Sequence, residues 1–189
     1  MPTESLGERL RRLRRAAKKT LQQVAEESGL SVGFLSQVER NLTGVSLSSL
    51  AGIARAVGTP MKVLFDHPIQ EAPDSHQGLR EPFSPVDLGQ TYERLSSVFT
   101  HSQLHAVKLT LPPGYHSERI RHEGDEFVYV LAGKVRYTVD ERAYELGPGD
   151  SLHFDGHQFH RLANAGTITA VLISVGTMDL FGDAQEPIG

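Results

Sequence analysis

Several residues between positions 31 and 40 have side chains of the kinds that read the edges of base pairs. The amide of Gln37 can bond bidentately to adenine in the major groove of DNA, Val32 can touch a thymine methyl group, and Gly33 permits close approach. The other candidates for contact in this stretch are Ser31, Ser36 and Arg40. These residues can meet one partner together only if a short helix presents them on an outer face.

The histidines are the second group of residues with chemical potential, and all nine lie after residue 66. The sequence contains no cysteine, which excludes disulfide bonds, thiolate metal ligands, a thiol nucleophile and a thiol redox sensor. Any bound metal ion must therefore be held by histidine and carboxylate side chains.

The charge is divided between the two parts of the chain. Residues 1–66 carry ten Lys or Arg against six Asp or Glu, whereas the remaining residues carry nine against 17. The overall charge of −4 alone would argue against a nucleic-acid partner, but the division reveals a basic first part and an acidic second part.

The length and the apolar pattern set further limits. A chain of 189 residues is long enough for one or two small domains. No run of about eighteen apolar residues is present, and the Arg-rich start lacks the apolar core of a signal peptide. We therefore expect a cytoplasmic protein with no membrane partner.

Two short helices separated by a tight turn must position the candidate base readers. Thr20 and Gln23 form a capping box, in which each side chain satisfies a backbone N–H at the start of the first helix. Gly29 can adopt the left-handed conformation that ends this helix, and Ser31 can cap the next helix two residues later. The pattern is typical of a helix-turn-helix, although capped helix pairs also occur in other helical domains.

Three more helices accompany this pair, and the first of them is basic. A capping box of Ser5 and Glu8 starts the first helix, and Thr59-Pro60 begins the fifth. Lys and Arg residues surround the first helix, and we expect Arg12 and Lys19 to contact DNA phosphates. The alternative is a solvated basic face that serves solubility.

This part of the chain resembles the DNA-binding domain of the Cro/phage-repressor family, also called the XRE family, over about residues 6–65. The resemblance is carried by Gln22-Gln23, Gly29-Leu30-Ser31 and the run from Leu35 to Arg40. It implies an all-α, five-helix DNA-binding domain over residues 1–66, and it adds Gln22 and Gln23 to the candidate DNA contacts. Asn41 stands where the family usually has Gly, and Asn also tolerates a left-handed backbone.

Proline and glycine interrupt any regular pattern over residues 67–88, which we predict to be a linker. After the linker, the apolar period changes to two. The predicted strands are 106–111, 127–130, 135–139, 151–154 and 167–175. Many short strands separated by turn residues indicate a sandwich or small barrel over residues 89–183, followed by a flexible tail at 184–189.

Two clusters in the β region resemble the two motifs of the cupin superfamily. The first comprises Gly114, Ile120, His122, Glu126 and Gly133, and the second comprises Gly149, Asp155, His157, His160 and Asn164. The resemblance implies an all-β jelly-roll barrel in which the first motif supplies two His and one Glu, and the second motif one further His, to a divalent metal. His122, Glu126 and His160 stand at three ligand positions, and Ile120 stands at the fourth.

The departures from the motifs leave the metal open. Two histidines and one carboxylate can form a facial triad for one divalent ion such as Fe, Zn, Ni or Mn, and His116, His153 or His157 could add a ligand. Alternatively, the three side chains form a hydrogen-bond network in a barrel that lost its metal when His became Ile. Asp155 and His157 replace the usual Pro and Gly, so the loop before His160 is expected to differ in shape.

The barrel interior is expected to hold a small-molecule pocket. If Glu126 faces inward, strand alternation turns Val128 and Val130 inward with it. A mainly apolar pocket with a few polar anchors is usual for small-molecule sites. The predicted effector-binding residues are Ile120, His122, Glu126, Tyr137, Phe154 and His160.

Nearly the whole chain resembles bacterial regulators in which an XRE-type helix-turn-helix precedes a C-terminal cupin sensor. The run Tyr92-Glu93-Arg94-Leu95 and the segment from His122 to Glu126 also match that family. The resemblance implies a regulator, expected to be a repressor, that binds palindromic double-stranded operator DNA as a homodimer or a tetramer. Its cupin domain would bind a small-molecule effector, for example an amine, an amino acid or a sulfur compound, and would not be an enzyme.

The competing class is a mononuclear iron enzyme of the hydroxypropylphosphonate epoxidase type with a vestigial helix-turn-helix. That enzyme has the same architecture and a His, Glu, His iron triad, which His122, Glu126 and His160 resemble. The first part of the chain argues against this class, because an enzyme does not need a basic helix, strong caps and a Gln-bearing recognition helix.

Overall fold

The protein is described by a computed structural model that covers residues 4–85 and 89–182. Its first part is helical. The helices are α1 (Leu6–Ala16), α2 (Leu21–Ser28), α3 (Val32–Glu39), α4 (Leu47–Val57) and α5 (Met61–Leu64). None of the helices in the described ranges is both long and apolar enough to cross a membrane.

The second part is built from antiparallel strands in two sheets. The strands are β1 (Thr91–Arg94), β2 (His105–Leu111), β3 (Asp125–Ala132), β4 (Val135–Val139), β5 (Arg142–Leu146), β6 (Ser151–Asp155), β7 (His160–Asn164) and β8 (Ala170–Gly176). A five-stranded sheet has the order β1-β2-β8-β3-β6, and a three-stranded sheet has the order β5-β4-β7. Five helices followed by an antiparallel β region confirm the predicted fold class.

The caps that the sequence indicates are present at the helix ends. The hydroxyl of Thr20 accepts from the backbone N–H of Gln23 at 3.1 Å, and the Gln23 side chain accepts from the N–H of Thr20 at 2.8 Å. Gly29 is left-handed with φ 73°, and Ser31 caps α3 through the N–H of Phe34 at 3.1 Å. The predicted helix-turn-helix is therefore confirmed down to its individual hydrogen bonds.

Asn41, which departs from the family pattern, contributes more than a left-handed backbone. Its φ is 55°, as the sequence predicts. Its side-chain oxygen accepts from the N–H of Gly7 at 3.0 Å, and its amide donates to the hydroxyl of Ser5 at 2.8 Å. Asparagine here fixes the start of α1 to the end of α3, which glycine could not do.

The fifth helix begins later than the sequence predicts. Pro60 is the N-cap and makes no side-chain cap bond, so α5 starts at Met61 and contains four residues. Beyond it, the segment 68–82 contains no helix or strand, and Phe83 pairs with Tyr92 at the edge of the barrel. Residues 86–88 of the predicted linker and the predicted tail at 184–189 lie outside the described residues.

Three strands were not predicted, and each has a physical reason. In β7 the inward positions include the polar residues His160 and Asn164, which hide the apolar period. In β5 only Leu146 is buried, because the strand lies at a sheet edge. In β1 the buried residues are Tyr92 and Arg94, and because Arg94 is charged the strand shows no apolar alternation. Strand β4 has the predicted bounds.

Candidate functional site

His122, Glu126 and His160 meet inside the barrel. His122 lies just before β3, Glu126 is the second residue of β3, and His160 opens β7 in the opposite sheet. The Nε2 atoms of His122 and His160 lie 3.4 Å and 3.6 Å from the same Glu126 oxygen, Oε2. One ligand atom from each residue falls within 4.8 Å of the others. The structure thus brings together the three ligands that the sequence resemblance implies.

The imidazole rings are oriented by backbone carbonyls. Nδ1 of His122 lies 3.0 Å from the carbonyl oxygen of Glu123, and Nδ1 of His160 lies 2.9 Å from that of Gln158. A ring that donates its Nδ1–H to a carbonyl keeps Nε2 available for a metal, which is the usual outer-shell arrangement of histidine ligands. The donor set therefore fits a divalent ion.

The second oxygen of Glu126 is held by hydroxyl groups. Tyr137 Oη lies 3.4 Å and Ser174 Oγ 3.3 Å from Oε1, and both donate to it. Burial raises the pKa of Tyr137 well above its usual value, so its hydroxyl stays protonated and remains a donor. Glu126 is thereby turned so that Oε2 faces the two imidazoles.

The three groups also stabilise one another without a metal. Burial favours the neutral form of His122, but the hydrogen bonds to Glu126 and to the carbonyl of Glu123, together with the charge of Glu126, outweigh burial and raise the pKa of His122. Burial likewise opposes ionisation of Glu126, but His122 and the charge of His160 lower the pKa of Glu126. Burial dominates at His160, whose pKa is lowered. A hydrogen-bond network and a metal site both agree with this geometry.

The fourth ligand position is apolar, and the other histidines do not fill it. Ile120 is 3% exposed and pairs through its backbone with His160. The additional histidines suggested by the sequence are exposed: His153 lies beside Asp125, His157 lies beside Asp155, and His116 is also at the surface. In the described part of the chain, the group of possible ligands is limited to the His–Glu–His set.

A cavity of about 50 Å³ adjoins this group. Its barrel wall includes Ile120, Glu126, Tyr137 and His160. The other two predicted residues, His122 and Phe154, do not line it, and the ring centroid of each lies 4.9 Å from that of His160. Small-molecule sites usually enclose about 300–1,000 Å³, so a cavity of this size admits water but not a metabolite. A metabolite therefore needs one wall of the cavity to move.

The opposite wall of the cavity comes from the helical domain. It is formed by Ser46, Leu47 and Ser48 at the start of α4. The backbone N–H and the hydroxyl of Ser46 both donate to the Glu118 carboxylate, at 3.0 Å and 2.6 Å, and the N–H of Leu47 donates to the hydroxyl of Tyr92 at 3.3 Å. No local pattern marks this contact, because its partners are 45 and 72 residues apart.

The recognition helix α3 presents a polar outer face. Leu35 and Val38 are buried, and Gly33, Gln37 and Arg40 are exposed on the other side. A Cβ at Gly33 would meet no atom within 4 Å. Ser36 is partly exposed there, and Val32 is partly buried against the core. The structure thus places most of the candidate base readers on one accessible surface.

The remaining candidate DNA contacts already have partners within the protein. The Gln23 amide serves the capping box, the Ser31 hydroxyl caps α3, and the Gln22 amide donates to Glu26 at 2.8 Å.

The two predicted phosphate contacts are also paired within the protein. Arg12 pairs with Glu4 at 2.8 Å. Lys19 donates to Glu27 and to the carbonyl of Ala56, both at 2.6 Å. Phosphate binding by Arg12 or Lys19 would therefore have to compete with these contacts.

The first part of the chain is a capped helix-turn-helix with an accessible, Gln-bearing helix. The second part is a two-sheet barrel with a His–Glu–His group inside. Together these features define a DNA-binding regulator with an attached cupin domain. Comparisons with known proteins agree. A helix-turn-helix domain family model matches residues 5–67, and a cupin domain family model matches residues 107–176. The chain is thus a helix-turn-helix transcriptional regulator with a C-terminal cupin domain.

Individual relatives are similar to this chain over most of its length. The HTH-type transcriptional regulator PuuR of Escherichia coli K12 is 25% identical over 179 residues, covering 93% of this chain and 96% of PuuR. The HTH-type transcriptional regulator SutR of the same organism is 25% identical over 166 residues, covering 87% and 89%. The crystal structure of an HTH_3 family regulator from Vibrio cholerae superposes with a TM-score of 0.58 at 22% identity, covering 92% and 95%, which shows a shared fold.

Proposed function

We propose that the protein is a cytoplasmic repressor that binds a palindromic operator as a homodimer, and that a small-molecule effector binds in the barrel cavity beside Glu126. The proposal is based on one observation: residues of both domains line the same cavity. A ligand that displaces the helical wall of the cavity would act on the start of α4. Because α4 packs against α2 of the helix-turn-helix, the ligand can reach the DNA-reading unit through packed helices.

The coupling follows from differential affinity. A ligand shifts an equilibrium only if it binds one arrangement better than the other. Here an effector would favour the arrangement in which Ser46, Leu47 and Ser48 have moved away from the barrel. A coupling of ~1–3 kcal/mol, typical of such systems, would change DNA affinity ~5–150-fold.

The mobility of this wall can be measured. We expect Glu118→Ala to loosen the start of α4, because the carboxylate accepts from both the N–H and the hydroxyl of Ser46. Loss of two such hydrogen bonds costs ~1–3 kcal/mol, so amide exchange over residues 46–50 should accelerate roughly 5–150-fold, although the Ser46 hydroxyl still caps α4 through the N–H of Ser49. Glu141→Ala, at an exposed turn, serves as control. Equal exchange in both variants would show that Glu118 does not hold α4.

We also propose that His122, Glu126 and His160 hold one divalent ion, of which Fe, Zn, Ni and Mn are the candidates. Their geometry and buried surroundings support this role, and Ile120 would leave open coordination positions. An ion there would act as a Lewis acid that an effector could bind. The three side chains would supply its protein ligands.

Elemental analysis of the purified protein tests the metal. We expect about one divalent ion per chain in the native protein and a large decrease in His122→Ala, because that variant keeps only two of the three ligands. His153→Ala is the matched control, since His153 is exposed and lies 3.5 Å from Asp125 rather than in the triad. No metal in the native protein under any loading condition would leave the hydrogen-bond network as the function of these residues.

The proposed dimer contact lies on the outer face of the five-stranded sheet. Phe127, Tyr129 and Leu131 alternate outward along β3 and are 41%, 40% and 44% exposed. Ile173 and Val175 of β8 stand beside Tyr129 and Phe127 in register. Contiguous exposed apolar groups on a sheet favour association with a partner, and a second copy offers the same face.

Replacing both Phe127 and Tyr129 by lysine should convert the dimer to a monomer, because like charges would face each other at the centre of the contact. Light scattering of the full chain measures the mass. Ile168→Lys, which changes an equally apolar and 64% exposed residue outside this face, should leave the dimer intact. A dimer or tetramer that survives the double substitution would place the main contact elsewhere.

An iron enzyme of the hydroxypropylphosphonate epoxidase type is the second candidate, and the His–Glu–His group favours it. The capped helix-turn-helix with its exposed Gln37 argues against it, because an enzyme needs no DNA-reading helix. The two are separated by incubating the iron-loaded protein with 2-hydroxypropylphosphonate and O₂. Operator binding without epoxide formation supports the regulator, and catalytic epoxide formation would reverse the assignment.

A further inference from the structure

We infer that the DNA-contacting surface extends onto the cupin domain, where the guanidinium groups of Arg119 and Arg121 contact the phosphate backbone beside the recognition helix. The inference rests on the DNA-binding function proposed above. It assigns a second, sequence-independent contact to a domain whose expected role is sensing.

The two arginines lie next to the helix-turn-helix. They belong to the segment between β2 and β3, and the backbone of Arg121 packs so closely on the turn that a Cβ at Gly29 would overlap its carbonyl oxygen. A groove of about 560 Å³ runs between the domains. Its walls include Gln22, Ser31 and Val32 on one side and Arg119, Arg121 and Phe159 on the other. The arginines therefore flank the N-terminal end of α3.

Both arginines are ordered by an aromatic ring rather than by a carboxylate. Their guanidinium carbons lie 4.1 Å and 4.9 Å from the ring centroid of Phe159, and both residues are exposed. Among the residues that the structure describes, neither arginine forms an ion pair. The stacking limits their rotamers while the N–H groups at the guanidinium edge stay accessible to an anion.

Three basic residues on α1 or just after it differ in this respect, whereas Arg11 and Arg15 of α1 are exposed like the cupin arginines. Arg12 pairs with Glu4, Arg14 pairs with Glu39 at 2.5 Å, and Lys19 pairs with Glu27. A phosphate must displace a carboxylate from each of these residues, whereas Arg119 and Arg121 need lose only water. The cupin arginines are therefore better prepared to bind an anion than Arg12 and Lys19, the two phosphate contacts that the sequence predicts.

The position of the two arginines indicates that they bind phosphate groups of DNA rather than base edges. The N-terminal end of a recognition helix contacts base edges in the major groove, so side chains beside that end meet the backbone of the flanking strand. The planar fork of a guanidinium matches a phosphate bidentately. Glu26 and Glu118 line the same groove and oppose an anion, although Glu26 accepts from the Gln22 amide and Glu118 accepts from Ser46. We expect about one phosphate contact from each arginine.

The inference is tested by measuring the affinity of the full-length protein for two duplexes. One duplex carries an operator found by selection, and the other carries a scrambled sequence. The double variant Arg119→Gln/Arg121→Gln should bind both duplexes more weakly, by a similar factor. The slope of log affinity against log salt should become less steep by ~0.9 for each phosphate that the variant no longer binds, and thus by about two for the pair. The exposed positions of both side chains should leave the melting temperature unchanged.

Arg142→Gln is the matched control. Arg142 is exposed and also stacks on an aromatic ring, that of Tyr144 at 5.0 Å, but it lies on edge strand β5 with β4 and β7 between it and the groove. It should leave affinity and salt slope unchanged.

An unchanged salt slope in the double variant would overturn the inference while leaving the regulator function intact. Tighter DNA binding by the double variant would also overturn it, since the arginines would then be holding the two domains together at the expense of DNA. Failure of the native protein to bind either duplex would overturn both the inference and the proposed function.

Discussion

Gly29→Ala should lower the free energy of unfolding by ~2–5 kcal/mol, which is more than we expect for the same substitution at Gly58, another left-handed glycine. Gly29 has φ 73°, a conformation that carries a penalty of roughly 1–2 kcal/mol for a residue with a Cβ. Its Cβ would in addition overlap the carbonyl oxygen of Arg121 and lie 3.0 Å from the Cγ of that residue. Forced overlap in a packed region adds about 1–3 kcal/mol. Urea denaturation of the full chain measures the change.

Gly58→Ala isolates the contribution of the domain contact. Gly58 ends α4 with φ 68°, and a Cβ there would meet no atom within 4 Å. Only the backbone penalty should therefore appear, and the difference between the two variants reports the packing of Arg121 on the turn. Equal destabilisation in the two variants would show that the turn and the cupin domain are not in contact in solution.

The helix-turn-helix could be predicted almost completely because its determinants are local. Thr20 and Gln23 cap each other three residues apart, and Gly29 and Ser31 end one helix and start the next. Hydrogen bonds of this range depend on residue type and spacing alone. Asn41 also followed its backbone preference, although its contacts with Ser5 and Gly7 lie more than thirty residues away and left no sequence signal.

For the candidate metal site, the sequence motif predicted the three side chains but not the groups that orient them. The residues His122, Glu126 and His160 were correctly grouped, but their resemblance to a motif says nothing about the carbonyls of Glu123 and Gln158 that orient the rings. Backbone carbonyls carry no side-chain signature. The same limit applies to β7, whose inward His160 and Asn164 serve the site and so break the apolar alternation of a strand.

The domain contact could not be predicted at all, because it joins residues with no shared local pattern. Glu118 resembles any acidic loop residue until Ser46 is placed beside it. Likewise, Arg12 resembles a phosphate ligand until its pairing with Glu4 is known. In both cases the charge is visible in the sequence, but its partner depends on how the chain packs.

Gln37→Ala should relax base discrimination by ~1–3 kcal/mol at one position in each half-site. Gln37 is exposed on α3, on the side away from the buried residues Leu35 and Val38, and an amide there can bond bidentately to adenine. One recognition helix reads few base pairs, so a dimer with half-sites about 34–36 Å apart would show the effect symmetrically. Affinities for operators substituted at each base in turn measure it.

The pattern across sequences distinguishes base reading from general weakening. Removal of a base-reading side chain should equalise the four bases at one position and leave scrambled duplexes unaffected, whereas removal of a phosphate-binding side chain weakens all duplexes alike. Gln103→Ala, at an exposed site between β1 and β2, should leave the whole profile unchanged. If Gln37→Ala and Arg40→Ala together preserve the native profile, this face of α3 is not the reader, and recognition must come from another surface of the helical domain.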